Sequence, residues 1–266
     1  MTAVALTSPR PVRDSWTMLR RNLRQMVRYR SLTLMLIAQP LAFMLLFVYV
    51  FGGTMGPGIR GGDGRGDYLR FIMPAIVVMT IASVSLSTTY TIALDTEKGI
   101  VDRFRTMPIA RSAVLAGRVL GAVVQTVVAL VVVLAVALLL GYRSGGTILG
   151  WLGVTGLVLL MTLSLTWLTV GLGLAAPNAE TASNTPLPLM FLPFLSSGFV
   201  PTGSMPVGLR WFAEHQPFTP MIDTLRAWMG GASPGSDAWW AVGWCLLIGV
   251  LSFWWARRLF ARPQAT

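Results

Sequence analysis

One lysine stands in the whole chain, and its setting decides whether this protein can cradle a nucleotide by itself. A phosphate-binding loop needs glycines followed by Gly-Lys-Ser or Gly-Lys-Thr, so that backbone amides and the ammonium surround the phosphates. Lys98 is instead flanked by Glu97 and Gly99. Nucleophilic catalysis has no better footing. His215 is the one histidine; it lies beside Glu214 in a proline-rich stretch, with no serine or cysteine motif to match it. One imidazole and one carboxylate do not complete a metal site. Cys245 is the one cysteine and sits in an apolar run, so it forms no internal disulfide or thiolate cluster and reads as a small buried apolar residue. No catalytic, cofactor-binding or metal-binding residue is expected.

What remains is recognition by charge. Asp95 to Pro108 (DTEKGIVDRFRTMP) is densely charged and flanked on both sides by long apolar runs. Wound as a helix, it puts Lys98, Asp102 and Arg105 on one side and Ile100, Val101, Phe104 and Met107 on another, at i, i+4, i+7 spacing. Pro108 ends the helix, because it lacks the N–H and constrains Met107 before it. The spacing predicts a short amphipathic helix over 97–108. Such a helix either lies solvated on a lipid surface or is gripped by another protein.

The elements around it are membrane elements. Hydrophobic residues make up 54% of the 266-residue chain and charged ones 12%, with mean hydropathy +0.66. A soluble domain carries about 25% charge, so one integral membrane domain over residues 1–266 is expected. Residues 1–10 hold no apolar run of the kind a cleavable signal needs. Residues 11–30 read as a basic amphipathic helix. Trp16, Leu19, Leu23, Met26 and Val27 form its apolar face, and its arginines suit lipid phosphates better than RNA. A crossing needs about 20 apolar residues. Six are expected, near 32–51, 69–93, 112–140, 148–175, 184–200 and 238–256. The fifth is short and contains Pro186, Pro188 and Pro193, so it should be irregular. Residues 201–237 are too apolar for a plain outer loop; Thr219-Pro220 reads as a helix start and Gly230-Gly231 as its end.

Orientation follows from the cations. With the N-terminus inside, the outer flanks hold Arg60, Arg65, Arg70, Arg143, Arg210 and Arg226 of the 21 Lys and Arg. The rest fall inside, which selects cytoplasmic N- and C-termini. The net charge of +11 is thus a membrane-face charge and not a nucleic-acid footprint. Ionisable groups are nearly absent from the span centres, so proton-driven transport is not expected and energy must come from another chain. In the second span Thr80, Ser83, Ser87 and Thr91 share a face; with Gln39 of the first span they either bond helix to helix or line a path. Gly117 and Gly121 form a small-xxx-small pair suited to tight packing.

Glu97-Lys98-Gly99, then Asp102-Arg103-Phe104, then Met107-Pro108, after a second apolar span, resembles the ABC-2 type permease family. The run from Asp102 through Arg118 (DRFRTMPIARSAVLAGR) is most similar to actinobacterial drug-export permeases of the daunorubicin-resistance type. The resemblance covers nearly the whole chain. It implies an all-α, type V exporter-like membrane subunit with six transmembrane helices, an N-terminal interface helix, a cytoplasmic coupling helix at 97–108 and an outer re-entrant helical segment at 201–237. It implies a bacterial plasma-membrane location and pairing with a second, identical permease subunit. Two ABC ATPase subunits would carry the ATP and Mg. Coupling would fall to Glu97, Lys98, Gly99, Asp102, Arg103, Phe104, Arg105, Met107 and Pro108, with Phe104 and Met107 as the apolar anchor. The cargo would be an amphiphilic drug or metabolite. Two rivals stay open: an exporter of lipid-linked glycan or lipid, and a non-transporting membrane scaffold or immunity protein.

Overall fold

A computed structural model describes residues 17, 20, 22, 30–55, 64–100 and 111–261. Apolar runs long enough to cross a membrane become helices, because a helix satisfies its backbone groups within itself. The helices are α1 (Arg30–Leu46), α2 (Gly52–Met55), α3 (Arg65–Glu97), α4 (Arg111–Leu139), α5 (Ile148–Ala175), α6 (Ala179–Asn184), α7 (Leu187–Phe191), α8 (Val207–His215), α9 (Phe218–Gly230) and α10 (Asp237–Ala261). A π-helical turn, Phe47–Phe51, joins α1 to α2.

Among the described residues, five stretches are long and apolar enough to cross a membrane: Leu34–Phe51, Arg65–Glu97, Leu115–Leu139, Ile148–Ala175 and Asp237–Ala261. The fifth expected crossing, 184–200, is not one helix. After α6 ends at Asn184 it holds only the short α7 and a 3-10 turn at Leu192–Leu195. Pro186 sits at the first break and Pro193 inside the 3-10 turn, where neither can supply a helical N–H. The expected N-terminal helix at 11–30 lies outside the described residues except at positions 17, 20, 22 and 30.

α3 is the axis of the molecule. It runs past both ends of the stretch expected from sequence, about 50 Å in all, and packs on α1, α4, α5, α6 and α9. In its apolar window 83% of residues are buried, against 17% in α1 and in α10, so α3 is central and the other two are peripheral. On α10 the exposed Leu246, Leu247, Val250 and Leu251 lie between Trp239 and Trp240 at one end and Trp254 at the other. Aromatic residues bracketing an apolar stripe are the usual signature of a lipid-facing helix.

α5 and α10 run parallel. Ser164 donates to the Cys245 carbonyl at 2.6 Å, and further along Gly171 lies against the Trp255 ring. The chain between Ala175 and Asp237 must therefore return to the opposite end of the bundle. α3 and α5 also approach closely: a Cβ on Gly173 would lie 2.7 Å from the Thr89 carbonyl oxygen. Backbone cannot rotate away as a side chain can. Gly173→Val is expected to cost about 1–3 kcal/mol, read as a lower melting temperature of the purified permease. Gly156→Ala, with nothing within 4 Å, should leave it unchanged or higher. Equal melting temperatures in the two variants would refute the close approach.

α9 closes at Gly231 as its glycine pair predicts. Gly231 is left-handed (φ 83°), and the Ala232 N–H reaches the Ala227 carbonyl at 2.8 Å. Its start differs from expectation. Pro217, not Thr219, precedes the first helical residue, Phe218. The Thr219 hydroxyl donates to the Ala213 carbonyl, so it satisfies an orphan acceptor in the last turn of α8 and does not cap α9.

Candidate functional site

The charged stretch begins where α3 ends. The Lys98 N–H donates to the Leu94 carbonyl at 3.1 Å and the Gly99 N–H to the Thr96 carbonyl at 3.0 Å. Gly99 is left-handed at φ 64°, a conformation that ends a helix and that glycine adopts without a Cβ penalty. Helix resumes at Ile100. Glu97 is thus the last residue of α3 and not the first of a coupling helix, which corrects the position expected for it. Asp102, Arg103, Phe104, Arg105, Met107 and Pro108 lie outside the described residues.

Glu97 has a partner that local pattern could not reveal. Its Oε1 accepts from the Ala179 N–H at 2.8 Å, at the first turn of α6, where Asn178 accepts from the Thr181 N–H at 2.7 Å. A carboxylate at a helix start satisfies an orphan donor and favours the dipole. Ala93 of α3 packs on Ala179 and Ala182 beneath it. The foot of α3 is therefore tied to the head of the broken segment.

Two residues earlier on α3, Asp95 pairs with Arg118 of α4, both side chains 14% exposed. The spacing of the sequence alone does not join these two residues. Two opposite charges at equal depth on successive apolar helices were the available signal. Beside them, Asn22 donates to the Gly117 carbonyl at 2.8 Å, and its Cβ lies 3.1 Å from where a Cβ on Gly121 would be. The small-residue pair of α4 receives this asparagine.

The polar stripe of α3 bonds mostly to its own helix. Thr80, buried, donates to the Ile76 carbonyl; Ser87 donates to Val84 and Thr91 to Ser87, both half-buried. Ser83 is buried. Gln39 reaches the Met190 sulfur at 3.3 Å, and beyond it Phe43 meets Phe194 edge to face while Phe47 packs, tilted, on Phe194 and Phe199. α1 is thereby seated on the broken segment. His215 stacks on Trp211, while Glu214 pairs with Arg210, so the two do not converge. No group of three metal-ligating side chains occurs among the described residues.

A family model described as ABC-2 type transporter matches residues 13–230. The chain belongs to the ABC-2 type transporter family. It is also 31% identical over 216 residues to the daunorubicin resistance ABC transporter permease protein of Streptomyces coeruleorubidus, covering 81% of this chain and 73% of that protein. As an ABC-2 protein it is a multi-pass membrane permease subunit of an ABC transporter, and not the subunit that hydrolyses ATP. The apolar helices, the lipid-facing stripe of α10 and the want of a phosphate cradle agree with that place in the complex.

Proposed function

We propose that two copies of this chain form the membrane part of an exporter. Two ATPase subunits, carrying ATP and Mg, dock on the segment from Glu97 to Pro108 and drive an amphiphilic drug or metabolite outward. The observation that carries this reading is the break at Lys98 and Gly99: the longest and most buried helix ends where the charged stretch begins. A push on that stretch acts directly on α3, and α3 reaches the far end of the bundle, so a local closure becomes a rigid-body tilt. Lys98, Arg103 and Arg105 supply the charged rim and Phe104 and Met107 the anchor. The drug-resistance name of the relative supports a drug-like cargo. Both termini are cytoplasmic by the distribution of cations. Six crossings follow if the return of the chain between Ala175 and Asp237 passes through the membrane.

The test uses inside-out vesicles holding this chain and a candidate ABC ATPase subunit. ATP added outside is expected to drive an amphiphilic fluorescent dye into the vesicles, and neither subunit alone should do so. A cysteine at Thr106, in a Cys245→Ala background, should react with a non-permeant reagent in these vesicles and not in intact cells. Dye movement without ATP, or labelling in intact cells, would overturn the reading.

A further inference from the structure

At the end of the bundle opposite Glu97, three segments border a half-open cavity of about 440 Å³. They are the start of α3, the loop from Tyr142 to Gly146 and the end of α9. Arg70, Arg143 and Arg226 line it, together with Phe71, Ser144 and Met229, and no carboxylate among the described residues does.

The walls are built tightly. A Cβ on Gly146 would lie 2.7 Å from the Trp228 carbonyl oxygen, and one on Gly145 2.9 Å from that of Gly230. Ser144 donates to the Met229 carbonyl at 2.9 Å and accepts from the Gly146 N–H at 3.1 Å. Gly141, left-handed at φ 93°, closes α4 and brings the Tyr142 N–H to the Ala137 carbonyl at 2.9 Å. Burial pushes the Tyr142 phenol upward, against the pull of Ser144 and Arg70. It therefore stays neutral at ordinary pH and adds no negative charge.

The cations differ in how they are held. Arg226 is fixed: it pairs with Asp223, donates to the Ser197 carbonyl at 2.7 Å and lies 4.3 Å over the Phe71 ring. Arg70 pairs with Asp67 at 3.2 Å on the exposed side. No carboxylate among the described residues pairs with Arg143. Among the described residues, Asp67, Asp223 and Asp237 of this end stand outside the cavity lining. On either side of the loop the bundle surface is apolar and exposed: Leu139 ends α4, and Ile148, Leu149 and Leu152 begin α5.

We propose that this cavity binds the phosphate group of an anionic amphiphile, whose chains lie along Leu139, Leu149 and Leu152. Guanidinium groups match phosphate oxygens as paired donors. A cationic cavity alone would suit any small anion. The adjoining apolar surface selects an anion that carries a tail.

The experiment uses the purified full-length permease in detergent, without ATPase or transport, so it stands whether or not the export reading does. Native mass spectrometry with equal phosphatidylglycerol and phosphatidylcholine reports which lipid stays bound. Wild type is expected to retain phosphatidylglycerol in preference, and Arg143→Gln to weaken that retention about tenfold, which is about 1.4 kcal/mol. Arg210→Gln, on the exposed helix α8, is the charge-matched control and should not change it. Excess inorganic phosphate should fail to displace the lipid. Displacement by phosphate would show a free-anion site and overturn the amphiphile. So would equal retention of both lipids, or equal retention by wild type and Arg143→Gln at matched melting temperature.

Discussion

Glu97→Ala is expected to cut ATP-driven efflux by about one to three decades while the permease stays in the membrane at normal abundance. Two interactions are removed at once. The Ala179 N–H loses its acceptor, a charge-assisted bond worth about 1.5–3 kcal/mol when sheltered and less at an exposed site such as this. The proposed contact with the ATPase loses a charge, and truncating such a contact costs roughly 2–5 kcal/mol when its partner is left buried. At about 1.4 kcal/mol per decade the second term alone accounts for the expected range. Neither should unfold a bundle whose stability lies in its packed helices. Glu97→Gln separates the two terms, because an amide oxygen can still accept from Ala179 but carries no charge. The glutamine variant is expected to keep the wild-type protease pattern around Asn178 and still lose co-purifying ATPase. Asp102→Ala, on the charged face of the same stretch, should be milder. Wild-type efflux from Glu97→Ala at matched abundance would refute the coupling role. Wild-type behaviour from Glu97→Gln would leave only the tie to α6.

Arg118→Ala is expected to destabilise the permease by about 3 kcal/mol, the lower end of the range for breaking a largely buried ion pair. The loss is the penalty on Asp95, left among apolar side chains without its counter-charge, more than the attraction itself. Neutralising both partners tests this. Asp95→Asn with Arg118→Gln should be closer to wild type than Arg118→Ala, although it departs at two positions. Melting temperature in detergent and abundance in the membrane are the measurements, analysed as a double-mutant cycle. Additive losses would mean that Asp95 and Arg118 act independently.

Periodicity and punctuation made much of the architecture legible. Apolar runs bounded by Gly141 and by Gly230-Gly231 gave α4, α5 and α9 close to their observed limits, since a helix in lipid must close its own backbone hydrogen bonds. The prolines at 186, 188 and 193 announced the broken segment. The start of α9 was misread because Thr219 found a carbonyl in α8, a contact that propensity does not encode. Glu97 was misplaced because the charged stretch reads as one amphipathic helix, while Gly99 at positive φ divides it. The tie from Glu97 to Ala179 spans 82 positions, and nothing in a linear pattern reports such a distance. The Asp95–Arg118 pair spans 23 and could have been inferred from matched depth.

The broken segment also carries a timetable for assembly. Two of its carbonyls are served by residues made later: Leu192 by the Gln216 side chain, 24 positions on, and Ser197 by Arg226, 29 positions on. At roughly 5–20 residues per second a ribosome supplies Arg226 about one to six seconds after Ser197. During that interval the Ser197 carbonyl can only be met by water or by the insertion machinery, because a carbonyl left bare in hydrocarbon costs several kcal/mol. The segment from Ala179 to Phe199 is therefore completed only by residues made after it, Gln216 before α9 and Arg226 within it.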